Sequence, residues 1–194
     1  MGCKIKIDFL FAALLAFVAV TDKTMFAVCG LVLIAAHELG HIFAAIALKM
    51  QIREINFGVA NIDISKPQDY EARKLSEKAV LILGGCIFNF LIFLVLWLIY
   101  LRTGKSEVLY IAMQSFAIAV LSIFPVESLD GGELLDLFTE KFCKDFRRAK
   151  KICSFVSWIF LFLLTALGIL IIVECRCGFS VILLILYLVY QKYT

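Results

Sequence analysis

The chain alternates between long apolar blocks and short charged connectors. A helix that spans a bilayer needs about 20 mostly apolar residues, within a range of roughly 17 to 25. Four blocks meet that length: Met25–Leu48, Ala79–Leu101, Val108–Val126 and Phe155–Val173. Two are shorter, Phe9–Val20 and Gly178–Tyr190, and read as tilted or locally thinned spans or as interfacial segments. The first of these, preceded by Lys4 and Lys6, also resembles a signal peptide, although the small-residue stretch Ala16–Ala19 makes a poor cleavage site. The working expectation is an all-α multi-pass membrane protein with about six transmembrane helices. Between the second and third helices the period changes. In INFGVANIDI, Ile55, Phe57 and Val59, then Ile62 and Ile64, fall at alternate positions, a strand signal. Gly58 and the Asn61–Asp63 stretch mark a hairpin or bulge. A plain connector is the alternative.

Charge orients the spans. Place the N-terminus, the loops 49–78 and 127–153 and the C-terminus on one side. Of the 19 Lys and Arg, that side then holds 15, and the other holds only Lys23, Arg102, Lys105 and Arg176. Cytoplasmic loops carry the excess of basic residues, so both termini are expected in the cytoplasm. If the first segment does not span, its two lysines change sides and the large loops remain inside. The net charge of +3 therefore reports topology. Its basic residues are scattered over separate loops, which is no nucleic-acid footprint.

Composition agrees: 63% of residues are hydrophobic and 18% charged, against about half and about a quarter in soluble domains. With 194 residues and no low-complexity tract, one domain is expected. The chain has two His, and both lie in the apolar block LVLIAAHELGHIFAAIAL. In a helix, residues i and i+4 share a face, so His37 and His41 can grip one metal ion while Glu38 lies to the side. This is the H-E-x-x-H arrangement, in which Zn²⁺ takes two imidazoles and the Glu serves as general base. A short motif can arise by chance on a solvated helix. Inside a spanning helix, an ionisable group costs a few kcal/mol, roughly 2.5 to 3.5, and is retained for function.

A catalytic zinc has about three protein ligands and an open position. No third His exists, so the remaining ligand is a carboxylate or Cys. IFPVESLDGGELL offers Asp130, after Pro125 and before Gly131–Gly132, in a stretch that reads as broken helix. Such backbone is tolerated at membrane depth only where it lines a cavity or is buried in protein; a loop acid beside a diglycine turn is the alternative. Depth is consistent. In the topology above, His41 lies ~12 Å and His37 ~18 Å from the cytoplasmic end of their helix, with Asn89 at ~16 Å on the next, and Asp130 emerges on the same half of the membrane. Gly85 and Asn89 also share a face, where glycine permits close helix approach and Asn either joins helices or takes part in chemistry. The seven Cys read as small packing residues.

With these residues in place, the chain resembles the site-2 protease family of intramembrane zinc metalloproteases, and is most similar in size and layout to the sporulation type that processes a membrane-associated pro-sigma factor. HELGH at 37–41 matches the family's zinc and base motif. SLDGG at 128–132 matches its LDG motif, and GGCIFN at 84–89 resembles its G-P-x-x-N stretch. Cys86 stands where the family usually has Pro, and Ser122 and Ser128 where it commonly has Asn and Pro. The resemblance implies one Zn²⁺ per chain, held by His37, His41 and Asp130, with Glu38 as the catalytic base. It implies a membrane-associated β-hairpin that receives substrate, with Phe57, Val59 and Asn89 as substrate-binding candidates. The expected activity is hydrolysis of a peptide bond within or next to a transmembrane segment. The expected partners are a transmembrane or membrane-associated protein substrate and a membrane inhibitor protein. The chain has no room for a PDZ or CBS domain. A rival reading is a transporter or a non-catalytic metal-binding membrane protein. Transporter folds tend to repeat a broken helix in two related halves, whereas here one histidine-bearing span and one broken segment are unrelated.

The charge asymmetry makes a prediction. In a background without native cysteines, Lys66→Cys in intact cells should resist an impermeant thiol reagent and react only after permeabilisation. Labelling in intact cells would reverse the topology.

Overall fold

The computed structural model describes residues 4–7, 26–50, 54–57, 62–64, 70, 72–127, 129–143 and 146–175. They divide into two compact units, with the boundary between Leu121 and Ser122. The first contains β1 (Lys4–Ile7), α1 (Phe26–Ala47), β2 (Glu54–Phe57), β3 (Ile62–Ile64), α2 (Leu75–Thr103) and α3 (Ser106–Ser122, whose last residue falls in the second). The second contains α4 (Asp130–Phe142) and α5 (Phe146–Cys175).

Three helical stretches are long and apolar enough to cross a membrane: Val28–Ala47, Leu75–Thr103 and Ala149–Ala166. Large apolar side chains stand exposed along them, among them Val32, Phe43, Leu91, Val95, Leu98 and Phe162. An exposed apolar surface of that extent suits hydrocarbon rather than water. Four of the six expected spans fall among the described residues, and three of those four reach spanning length. The block expected to span Val108–Val126 forms a helix that stops at Ser122, 17 residues long. At 1.5 Å per residue it covers ~25 Å, short of the ~30 Å hydrocarbon core. It ends early because Pro125 disfavours helical backbone at the residue before it and has no N–H to give. The short blocks Phe9–Val20 and Gly178–Tyr190 lie outside the described residues.

Small residues set the packing of α1 on α2. A Cβ added to Gly40 would fall 2.5 Å from the Gly84 carbonyl oxygen, and one on Gly84 would fall 2.8 Å from the Ala44 Cβ. Only glycine lets the two backbones approach this closely, as is common between membrane helices. Phe43 and Phe88 flank the contact, with ring centroids 5.6 Å apart. The α1 C-terminus is closed by two bonds, from Lys49 N–H to the Ile46 carbonyl and from Met50 N–H to the Ala45 carbonyl, both 2.9 Å. This is a Schellman end, with Lys49 rather than Gly in the left-handed position at φ 53°. On the other flank of α2, Phe93 stacks on Phe116 of α3 at 4.9 Å.

The three strands form one sheet in the order β1-β2-β3. The β2–β3 pairing is antiparallel, with Ile55 opposite Ile64 and Phe57 opposite Ile62. The β1–β2 pairing is parallel, with Lys4 opposite Glu54 and Ile7 opposite Phe57. The apolar pattern did not single out β1, whose four residues KIKI are too few to separate from a charged N-terminal stretch.

In the second unit, the segment after Ser122 winds through tight turns. Val126 N–H bonds the Phe124 carbonyl at 2.7 Å, and Leu129 N–H bonds the Val126 carbonyl at 2.8 Å. Gly131 and Gly132 lie against the carbonyl oxygens of Ile123 and Val126, leaving no room for a Cβ at either. Val126 and Leu161 form a buried cluster with Phe124, Leu129, Phe160 and Leu164. Ser157 donates its hydroxyl to the Pro125 carbonyl at 3.2 Å, using an acceptor that the helix break leaves available.

Gly40→Val should overpack the α1–α2 contact and cost about 1–3 kcal/mol, read as a lower unfolding midpoint in detergent. Gly30→Ala, with nothing within 4 Å of the added Cβ, should hold or slightly raise it. Equal midpoints for Gly40→Val and the unmodified protein would contradict the packing.

Candidate metal centre

The α1–α2 contact holds polar side chains that neither helix could bury alone. His37, Gly40, His41 and Ala44 recur at helical spacing on one face of α1. His37 is only 6% exposed. Opposite it, α2 presents Ile82, Gly84, Gly85, Cys86 and Asn89, all buried. Gly85 is the floor of the site, since a Cβ there would lie 2.5 Å from Nε2 of both His37 and His41. Its bare Cα gives the imidazoles their room.

The two rings stand edge to face, with centroids 5.0 Å apart. Their Nε2 atoms are 3.3 Å apart. His41 Nδ1 donates to the Leu81 carbonyl at 2.9 Å. A carbonyl can only accept, so His41 carries a proton on Nδ1, and in the neutral ring this leaves Nε2 bare, the tautomer a metal requires. Leu81 lies one turn before Gly85, so the absent side chain also clears a path for the ring to this carbonyl.

The donor set fits zinc. Two nitrogens bound to tetrahedral Zn²⁺ at about 2.0–2.1 Å lie ~3.3 Å from each other, which matches the spacing found. Neutral imidazole is a preferred zinc donor. His37 and His41 would hold the ion.

The other predicted residues are placed as follows. Glu38 lies next to His37 on α1 and is half-buried. Asn89 is fully buried, with its Nδ2 3.5 Å from His37 Nδ1. Its backbone carbonyl accepts the Ser115 hydroxyl from α3 at 2.9 Å. Asp130 belongs to the second unit, where it is half-buried and opens α4, sharing the first turn with Glu133. Phe57 is the last residue of β2, and Val59 lies outside the described residues. Three participants were not singled out by sequence. The Leu81 carbonyl has no side-chain signature, Ser115 is one serine in an apolar helix, and Cys86 read as packing. The Cys86 sulfur lies within 4.8 Å of a His37 ring nitrogen.

No protein-family model matches the chain, and no curated protein matches it. Among solved structures it is similar to the site-2 protease from Methanocaldococcus jannaschii, with a TM-score of 0.63 and 18% sequence identity. The match covers 98% of this chain and 89% of that one. At this identity the likeness establishes the fold.

Gly85→Ala should drive a methyl group into both ring nitrogens. Zinc affinity of the purified protein, measured by chelator competition, should fall by more than about tenfold, the lower end of the loss for removing a ligand's support. Unchanged affinity would mean that the rings do not depend on this glycine.

Proposed function

We propose that the chain is an intramembrane zinc metalloendopeptidase of the site-2 protease type. The observation that carries this reading is the 3.3 Å convergence of two Nε2 atoms on a helix long and apolar enough to span a membrane. The similarity of fold to a site-2 protease supports it. His37 and His41 hold the ion, and Asp130, from the LDG motif, is the third ligand. When bound, zinc supplies a Lewis acid for the scissile carbonyl and lowers the pKa of water to about 7.

The chain's own residues do the rest. Glu38 takes the proton of the attacking water and returns it to the leaving amine, splitting the amide with no net proton change. Its place one residue after His37 sets it off the ligand face, so it acts as base rather than ligand. The apolar surround limits water at the site and strengthens electrostatic interactions there. The substrate is a transmembrane or membrane-adjacent segment of another protein, such as a membrane-associated pro-sigma factor or a signalling regulator, with a membrane inhibitor protein as a second partner. Helical amides are paired and shielded, so the segment must be unwound before it is cut. An extended peptide added at the β2–β3 hairpin, near Phe57 and Val59, would be held by main-chain hydrogen bonds. In this reading the protein is a single multi-pass domain, and both termini are cytoplasmic.

Glu38→Gln separates chemistry from binding. The amide cannot accept a proton, so cleavage of a co-expressed substrate should drop toward the upper end of the roughly 10²- to 10⁴-fold range for general-base loss. Zinc content on the same preparation should stay at one per chain, and uncut substrate should co-purify. Retained zinc with undiminished cleavage would reject Glu38 as the base.

A further inference from the structure

The polar contacts around the histidines form a chain with one direction. Leu81 C=O accepts from His41 Nδ1, which leaves His41 Nε2 bare and accepting. The 3.3 Å contact between the two Nε2 atoms is then donated by His37. With its proton on Nε2, neutral His37 has a bare Nδ1, and the Asn89 Nδ2 at 3.5 Å donates to it. This order satisfies these three contacts. It also puts a proton on His37 Nε2, where a metal must bind, and it leaves Asn89 Oδ1 buried without a hydrogen-bond partner.

Resting on the metalloprotease reading, we infer that Asn89 is the positioning residue for His37: its side-chain amide faces the ring's Nδ1, and its oxygen set on that nitrogen holds Nε2 for the metal. For His37 to offer Nε2, its Nδ1 must carry the proton. An Nδ1–H facing the Asn89 NH₂ would set donor against donor. A half-turn of the amide brings Oδ1 to face Nδ1–H, and the unpartnered acceptor becomes the partner of His37. The oxygen and the nitrogen of the amide are nearly equal in size, so the turn needs no new space. His37 then has what His41 already has from Leu81: a carbonyl oxygen on Nδ1 that holds Nε2 bare. Such partners fix a ligand's tautomer and orientation and raise its basicity. The Ser115 bond to the Asn89 backbone holds the residue's main chain in register. Asn89 is 0% exposed, which suits a residue that acts through His37 rather than one that meets substrate.

The test is zinc affinity of the full-length protein in detergent, stripped of metal and titrated against a chromophoric chelator. Asn89→Leu keeps the branching and number of heavy atoms and removes the acceptor, so its affinity should fall about 10- to 100-fold. Asn89→Asp keeps an acceptor facing Nδ1–H, so it should bind zinc at least as tightly as the unmodified protein. A residue needed only for packing would give the reverse order, with Leu tolerated and a buried carboxylate disruptive. Wild-type affinity in Asn89→Leu, or weakened affinity in folded Asn89→Asp, overturns the inference while leaving the metalloprotease reading intact. If Asn89→Leu does not fold, Asn89→Asp decides alone. Failure of the unmodified protein to bind zinc overturns the metalloprotease reading, and this inference with it.

Discussion

Close approach of α1 and α2 through glycine is the constraint from which the candidate centre follows. Gly40 and Gly84 bring the two backbones together, and Gly85 leaves the gap that the two imidazoles fill. The contact does three jobs at once. It excludes lipid from His37, turns the rings toward each other, and brings the Leu81 carbonyl within 2.9 Å of His41. Between helices in a bilayer, association comes from packing and interhelical hydrogen bonds rather than from a hydrophobic force. A residue that adds a Cβ at this contact therefore acts on stability and on the site together.

Polar groups inside an apolar bundle must satisfy one another, since lipid offers no partners. His41 uses a backbone carbonyl, and Asn89 meets both His37 and the Ser115 hydroxyl. In the second unit, Ser157 meets the carbonyl of Pro125. Each bond joins a side chain to backbone or to another side chain on a different segment, so each also fixes how two segments pack. Beside the histidines, Asn89 Oδ1 is a buried acceptor left over.

The two glycines after Asp130 serve the second unit as Gly85 serves the first. They let α4 begin directly against the carbonyls of Ile123 and Val126. The helix therefore starts within tight packing, with Asp130 in its first turn, where the helix dipole favours a carboxylate. In both units, glycine matters for the volume it does not occupy.

Sequence alone determined what depends on local composition and helical period. Block length and apolarity marked α1, α2 and α5, and the i, i+4 spacing put His37 and His41 on one face before any fold was known. The Gly85–Asn89 spacing likewise anticipated a close contact on α2. Sequence could not fix where α3 ends, because an apolar run reads the same on both sides of the turn that Pro125 imposes. Nor could it supply β1, since a parallel pairing with β2 joins residues some fifty positions apart in sequence. The tertiary structure alone decided the partners of the histidines: the carbonyl of Leu81, the amide of Asn89 and the Ser115 hydroxyl behind it. Those partners are chosen by how closely two helices approach and by their rotation about their axes. Both are set by packing between residues distant in the chain, which no local pattern records.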